Sequence, residues 1–125
     1  MNHTLNITYG SPSGNLVSTL SATGDTNIEL NLTIAPSASA AETDISITSA
    51  NLQAFYIEAT AAMTIVCKSG TGGSGTIEAT FTLLANIPQF WFTGNGVNPF
   101  GGNVGQLLVT STAGGTLNIR ALLND

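Results

Sequence analysis

Apolar side chains recur at every second position along this chain, and that period limits what it can fold into more than any other feature. The clearest run has Ile28, Leu30, Leu32 and Ile34 interleaved with Asn27, Glu29, Asn31 and Thr33. Residues two apart share one face of an extended strand, so such a run predicts a strand with one side buried and one side wet. The same reading holds for Ile77, Ala79, Phe81 and Leu83 against Thr76, Glu78, Thr80 and Thr82, and for Leu117, Ile119 and Ala121 against Asn118 and Arg120. These three strands are expected to face one core. Shorter runs at Leu5-Ile7-Tyr9, Leu16-Ser18-Leu20, Ile45-Ile47, Leu52 to Ala59, Met63-Ile65-Cys67, Ile87 to Phe92 and Leu107 to Thr110 add further candidates. The 18 threonines support sheet as well, because a β-branched side chain suits an extended backbone better than a helical one.

Turn residues fall between the runs: Ser11-Pro12-Ser13-Gly14, Gly24-Asp25 and Ala35-Pro36-Ser37-Ala38-Ser39. They set or permit turn dihedrals and interrupt any helix. Only Ala38 to Glu42 and Glu58 to Met63 have the alanines for a helical turn, and both are shorter than a self-supporting helix. Ser69-Gly70-Thr71-Gly72-Gly73-Ser74-Gly75 reads as a mobile hairpin tip, and Gly94 to Asn103, carrying Pro99 and Phe100 in its middle, as a longer ordered loop. Eight to ten strands in 125 residues, with no helix between them, predict one domain over residues 1–125. The expected fold is all-β, an antiparallel two-sheet β-sandwich, with the jelly roll ahead of an immunoglobulin-like arrangement. The latter lacks its Cys, Trp, Cys signature, since the chain holds only Cys67 and Trp91.

Charge narrows the function. Only 7% of residues are charged, and two basic against seven acidic side chains give a formal net charge of −5. Lys68 and Arg120 alone cannot neutralise a run of phosphates, so neither nucleic acid nor an anionic lipid surface is an expected partner. No apolar run approaches the roughly 20 residues of a membrane-spanning helix. Met1-Asn2-His3-Thr4 has neither the basic start nor the apolar core of a secretory signal, which predicts synthesis in the cytosol. A single cysteine precludes an internal disulfide.

Catalytic constellations are sparse. The one histidine, His3, is placed at a terminus expected to fray unless it is paired, which speaks against a catalytic triad. Cys67 falls in register with Met63 and Ile65 and is expected in the core. One Cys and one His cannot build a zinc site, and no cofactor is expected. Glu29, Glu58 and Glu78 could converge across strands as glycosidase carboxylates do, but Glu29 and Glu78 alternate outward, which predicts ordinary solvated acids. Glu42 and Asp44 offer two oxygen ligands to a cation without the spacing of a calcium loop. No enzyme activity is expected.

Phe90-Trp91-Phe92 is the most unusual patch, because three consecutive aromatics cannot all point to one side of a strand. The outward ring is expected either to be covered by a loop such as that of Phe100 or to anchor a subunit, a partner or a sugar. Arg120 alternates outward on the last strand and is expected to pair with an acidic neighbour.

The segments Ile57-Glu58-Ala59, Met63-Thr64-Ile65, Ile77 to Pro88, Trp91-Phe92-Thr93-Gly94-Asn95, Asn98-Pro99-Phe100 and Thr116-Leu117-Asn118-Ile119-Arg120-Ala121-Leu122 together resemble small tailed-bacteriophage virion proteins. The resemblance covers about residues 50–125. It implies a head decoration, or cement, protein of β-sandwich or jelly-roll form that binds the major capsid protein on the capsid exterior after synthesis in the host cytoplasm. It also implies a homo-oligomer, with a trimer favoured, because such a protein commonly sits on a symmetry axis of its shell. Phe90, Trp91, Phe92, Phe100 and Arg120 are the expected partner or subunit contacts. The competing expectation is a carbohydrate- or receptor-binding sandwich of a phage tail or bacterial surface, using Trp91 to stack on sugar rings.

Overall fold

The computed structural model describes residues 1–125 and is built from strands. In chain order these are β1 (Asn2–Ser11), β2 (Gly14–Thr23), β3 (Thr26–Ile34), β4 (Ala38–Ile47), β5 (Leu52–Ala59), β6 (Met63–Lys68), β7 (Ile77–Leu83), β8 (Gln89–Phe92), β9 (Val104–Ser111) and β10 (Gly115–Leu123), with one 3-10 turn at Ser49–Asn51. β3-β10-β5-β8 form one four-stranded sheet and β4-β9-β6-β7 the other, all antiparallel. From β3 to β10 each strand crosses to the other sheet, apart from the β6–β7 hairpin within one sheet, which is the order of an eight-stranded jelly roll, so the sandwich is the rolled one. β1 and β2 stand outside it as a separate two-stranded ribbon.

Alternation places the core. Leu117, Ile119 and Ala121 of β10, Phe55 and Ile57 of β5, Ile65 and Cys67 of β6, and Leu107 and Val109 of β9 interdigitate between the sheets. Phe55, Phe81 and Phe100 close one end, with ring centroids 5.0–5.9 Å apart. Phe100 therefore lies inside the sandwich, where Phe100 N donates to Asn98 Oδ1 and Asn98 Nδ2 donates to Ser49 O, which orders the 94–103 loop as expected.

Two elements depart from the sequence reading. Ile77 was expected to face the core, yet it is exposed, because the β6–β7 register shifts between Cys67 and Lys68 and turns its side chain outward. The glycine-rich tip 69–75 is tied down rather than free. Gly72 N donates to Glu42 Oε1, Gly73 N to Gln106 Oε1, Gln106 Nε2 to Ser74 O and Lys68 Nζ to Gly73 O. Gln106, on the outer face of β9, is thereby fully buried beneath the tip.

The ribbon joins the roll at Gly24, whose backbone packs so closely on Leu122 and Leu123 that a Cβ would collide with them. Met1 N donates to Gly24 O and Gly24 N to Met1 O, so the N-terminus is paired instead of frayed.

Candidate functional site

The outer face of the β3-β10-β5-β8 sheet presents two rows of side chains. One runs Asn27, Leu122, Ala54, Phe92 and the next Glu29, Arg120, Tyr56, Phe90, each crossing all four strands in register. The ribbon lies over the first row. His3 Nε2 meets Asn27 Oδ1 on β3 at 2.8 Å, and Leu5, Leu20 and Ala22 pack with Leu122, Ala54 and Phe92 in a second, smaller core. Phe92 is thus an outward ring covered by the N-terminal ribbon, not by the loop that holds Phe100. As placed by the chain itself, Phe92 and Phe100 are buried and offer no surface to a partner.

Trp91, on the opposite face of β8, packs against the main core, and its Nε1 donates to Gly96 O at 3.2 Å. Trp91 is half-buried, with its side chain leaning on that core instead of standing free on the outer face of β8. Of the three consecutive aromatics only Phe90 is exposed, at 38%.

Arg120 does not pair with a carboxylate, although Glu29 lies directly opposite on β3. Its Nη1 donates to Leu30 O and Ile119 O, and its Nη2 to Asn31 Oδ1. A half-buried guanidinium over a sheet is better served by several fixed backbone acceptors than by one flexible, hydrated acid.

A groove of about 420 Å³ runs along the step between the ribbon and the sheet, lined by Asn2, His3, Leu5, Glu29, Tyr56 and Arg120 among others. Tyr56 Oη donates to Glu58 Oε2 at 2.9 Å. Burial, then that bond and the Glu58 charge, push the Tyr56 phenol up to about 12. Glu29 and Glu58 are two strands and one row apart, so their Cα atoms are on the order of 12 Å from each other, with Arg120 and Tyr56 between them. That geometry does not form a close carboxylate pair. Glu42 accepts from Gly72 N, and no three His, Cys, Asp or Glu side chains gather where a cation could be held. Cys67 is fully buried and its thiol is pushed up to about 12 by burial.

The remaining feature is the outward half of the ribbon. Its strands pair without a break from Asn2–Thr23 to Ser11–Gly14. Ten residues of strand span about 33 Å, whereas the four strands beneath are only about 14 Å across. Starting over β3 at His3 and crossing β8 at Phe92, the ribbon overhangs the edge of the sheet and carries Tyr9 and Leu16, 67% and 73% exposed, on one face, with Val17 on the other. Sequence reading found these two strands but not their role. The signal available was charge: residues 1–24 contain no Asp, Glu, Lys or Arg.

No family model and no curated protein matches this chain. Among solved structures it is similar to a subunit described under "Bacillus endospore appendages form a novel family of disulfide-linked pili", with 22% identity, 79% of this chain and 87% of that chain covered, and a TM-score of 0.46. A similarity at that level carries no argument about function.

Proposed function

We propose that this chain is a non-catalytic structural subunit that works by binding other protein surfaces, and that its setting is the exterior of a phage capsid, as a decoration protein contacting the major capsid protein. The observation that carries the subunit reading is the overhanging ribbon, an uncharged arm with Tyr9, Leu16 and Val17 exposed, on a chain whose histidine, cysteine and carboxylates form no reacting group. The resemblance of residues 50–125 to virion proteins supplies the capsid setting. A surface poor in ionic groups suits that role, because contacts then form with little desolvation of charge, and many copies on one shell raise a modest affinity by avidity. Synthesis in the host cytoplasm followed by binding to assembled heads completes the reading. Purified protein should co-sediment with undecorated heads and saturate at a fixed ratio to capsid subunits. Failure to bind the matching head would remove the capsid setting.

A second reading, the carbohydrate- or receptor-binding module, now draws on the groove rather than on Trp91. Asn2, His3, Glu29, Tyr56 and Arg120 place polar groups around the apolar Leu5 and Phe92, the mixture a sugar-binding cleft uses. Retention on immobilised glycans that Tyr56→Ala abolishes, with the fold intact by circular dichroism, is the result this reading requires.

A further inference from the structure

Asparagine is chemically labile where the next backbone nitrogen can reach its side-chain amide, because the two then close a ring within one molecule. The chain holds a single Asn-Gly pair, Asn95-Gly96, and glycine has no side chain to obstruct that approach. The structure leaves the pair unrestrained. Asn95 is exposed, its carboxamide makes no hydrogen bond, and Gly96 N donates to no acceptor. A Cβ built on Gly96 would meet nothing within 4 Å, so the loop is open on that side.

The other asparagines are held. Asn98 precedes Pro99, which has no N–H to attack with. Ile87 N, after Asn86, donates to Leu84 O, and Asp125 N, after Asn124, donates to Asp25 Oδ1. Asn103 spends its Oδ1 on Ser49 N and is followed by the β-branched Val104. Asn51 is tied through its Nδ2 to Asp125 Oδ1, and the rest lie in paired strands before bulky side chains.

Two bonds bracket the Asn95-Gly96 link. Asn95 N donates to Phe92 O at 2.8 Å, and Trp91 Nε1 donates to Gly96 O at 3.2 Å. Any change in main-chain length between Asn95 and Gly96 therefore falls between two points tied to β8.

We propose that Asn95 is a self-modification site whose isoaspartyl product releases Trp91 from Gly96. Gly96 N gives its proton to solvent base and bonds to Asn95 Cγ; the bond from Cγ to Nδ2 breaks, and Nδ2 leaves as ammonia. Water then adds to either carbonyl of the succinimide, and the ring opens there to an aspartyl or an isoaspartyl residue. No oxidant or reductant takes part. Both products place a carboxylate within residues 79–119, which hold no charged side chain. The isoaspartyl product also runs the main chain through Cβ and Cγ, adding a methylene between the two anchors. The site is independent of the capsid setting.

The test holds the full chain in mildly alkaline buffer and follows each asparagine by peptide mass spectrometry, with a synthetic peptide of residues 91–100 as the unrestrained reference. Asn95 is expected to convert first, within about tenfold of its rate in the peptide, as for a segment whose local opening costs little. Its rate should rise with hydroxide, and hydroxylamine should trap the succinimide and cleave between Asn95 and Gly96. Trp91 is the only tryptophan, so fluorescence reports it alone, and its emission should move to the red as isoaspartate accumulates. Asn95→Gln, whose longer side chain closes the ring more slowly, should keep the parental emission. Fresh Asn95→Asp should keep it too, which separates the added charge from the rerouted main chain. Conversion of native Asn95 more than tenfold slower than in the peptide, or earlier conversion of another asparagine, would overturn the proposal. So would isoaspartate that accumulates with the Trp91 emission unmoved.

Discussion

Cys67 sits between Val66 and Lys68 on β6 with no solvent contact, and its environment has one chemical consequence. Burial disfavours the thiolate and raises the thiol from an ordinary 9.0 to about 12. Thiol reagents are therefore expected to leave the native protein unmodified at neutral pH and to react stoichiometrically once urea unfolds it. The same shift fixes the sign of an alkaline effect. Between pH 9 and 12 the unfolded chain releases the Cys67 proton while the native one keeps it, so the unfolded state binds fewer protons and stability falls as pH rises. The slope approaches about 1.4 kcal/mol per pH unit where the proton difference is complete. Tyr56, raised from 10.0 to about 12, acts in the same direction from pH 10 upward. Urea midpoints should decline as pH rises above 9, and Cys67→Ala should lose the part of the decline that begins at pH 9.

Among elements, the β6–β7 hairpin shows what pattern alone could and could not deliver. The alternation of Met63, Ile65 and Cys67 and of Phe81 and Leu83 was legible and set both strands facing inward. The position of Ile77 was not, because a one-residue bulge reverses every side chain beyond it and leaves no trace in the hydrophobic pattern. The tip between the strands has a loose composition but is held by Gln106, a residue 33 positions from Gly73 whose anchoring role depends on β9 pairing beside β6. Gln106→Leu should cost about 1–3 kcal/mol in urea unfolding, since it strands the Gly73 N–H and the Ser74 carbonyl under partial cover. It should also open 69–75 to limited proteolysis, whereas the parent resists. The aromatic triplet divides along the same line: alternation separates Trp91 from Phe90 and Phe92, yet only the seated ribbon decides that Phe92 is covered and Phe90 is not.

Taken whole, the molecule is a well-packed roll bearing a thinly supported arm. The roll is closed by β10, which bridges β3 and β5 through pairings as distant in sequence as Leu123 with Thr26. Local opening free energies span from near zero to the global value, in proportion to the buried contacts each segment makes. Amide exchange should therefore be slowest at Ile65, Val109 and Ile119, in central strands, and fastest by several orders of magnitude over residues 8–17 of the free chain. Equal protection of the arm and the roll in a monomer would contradict the overhang. The groove beside the arm likewise exists only as a meeting of distant parts, with Asn2 and His3 brought over Glu29, Tyr56 and Arg120.

Read by itself, the sequence was enough for the all-β class, the sandwich, the jelly-roll preference and the inward half of nearly every strand. Those properties are local, being carried by a period of two and by the turn residues that interrupt it. The tertiary structure alone decided which outward residues are free: Arg120 finds backbone acceptors instead of an acid, Phe92 is roofed, Trp91 faces in, and Tyr9 and Leu16 are left bare. A strand's pattern says which side faces a core, but exposure on the other side depends on what the rest of the chain lays across it, and that is a property of topology.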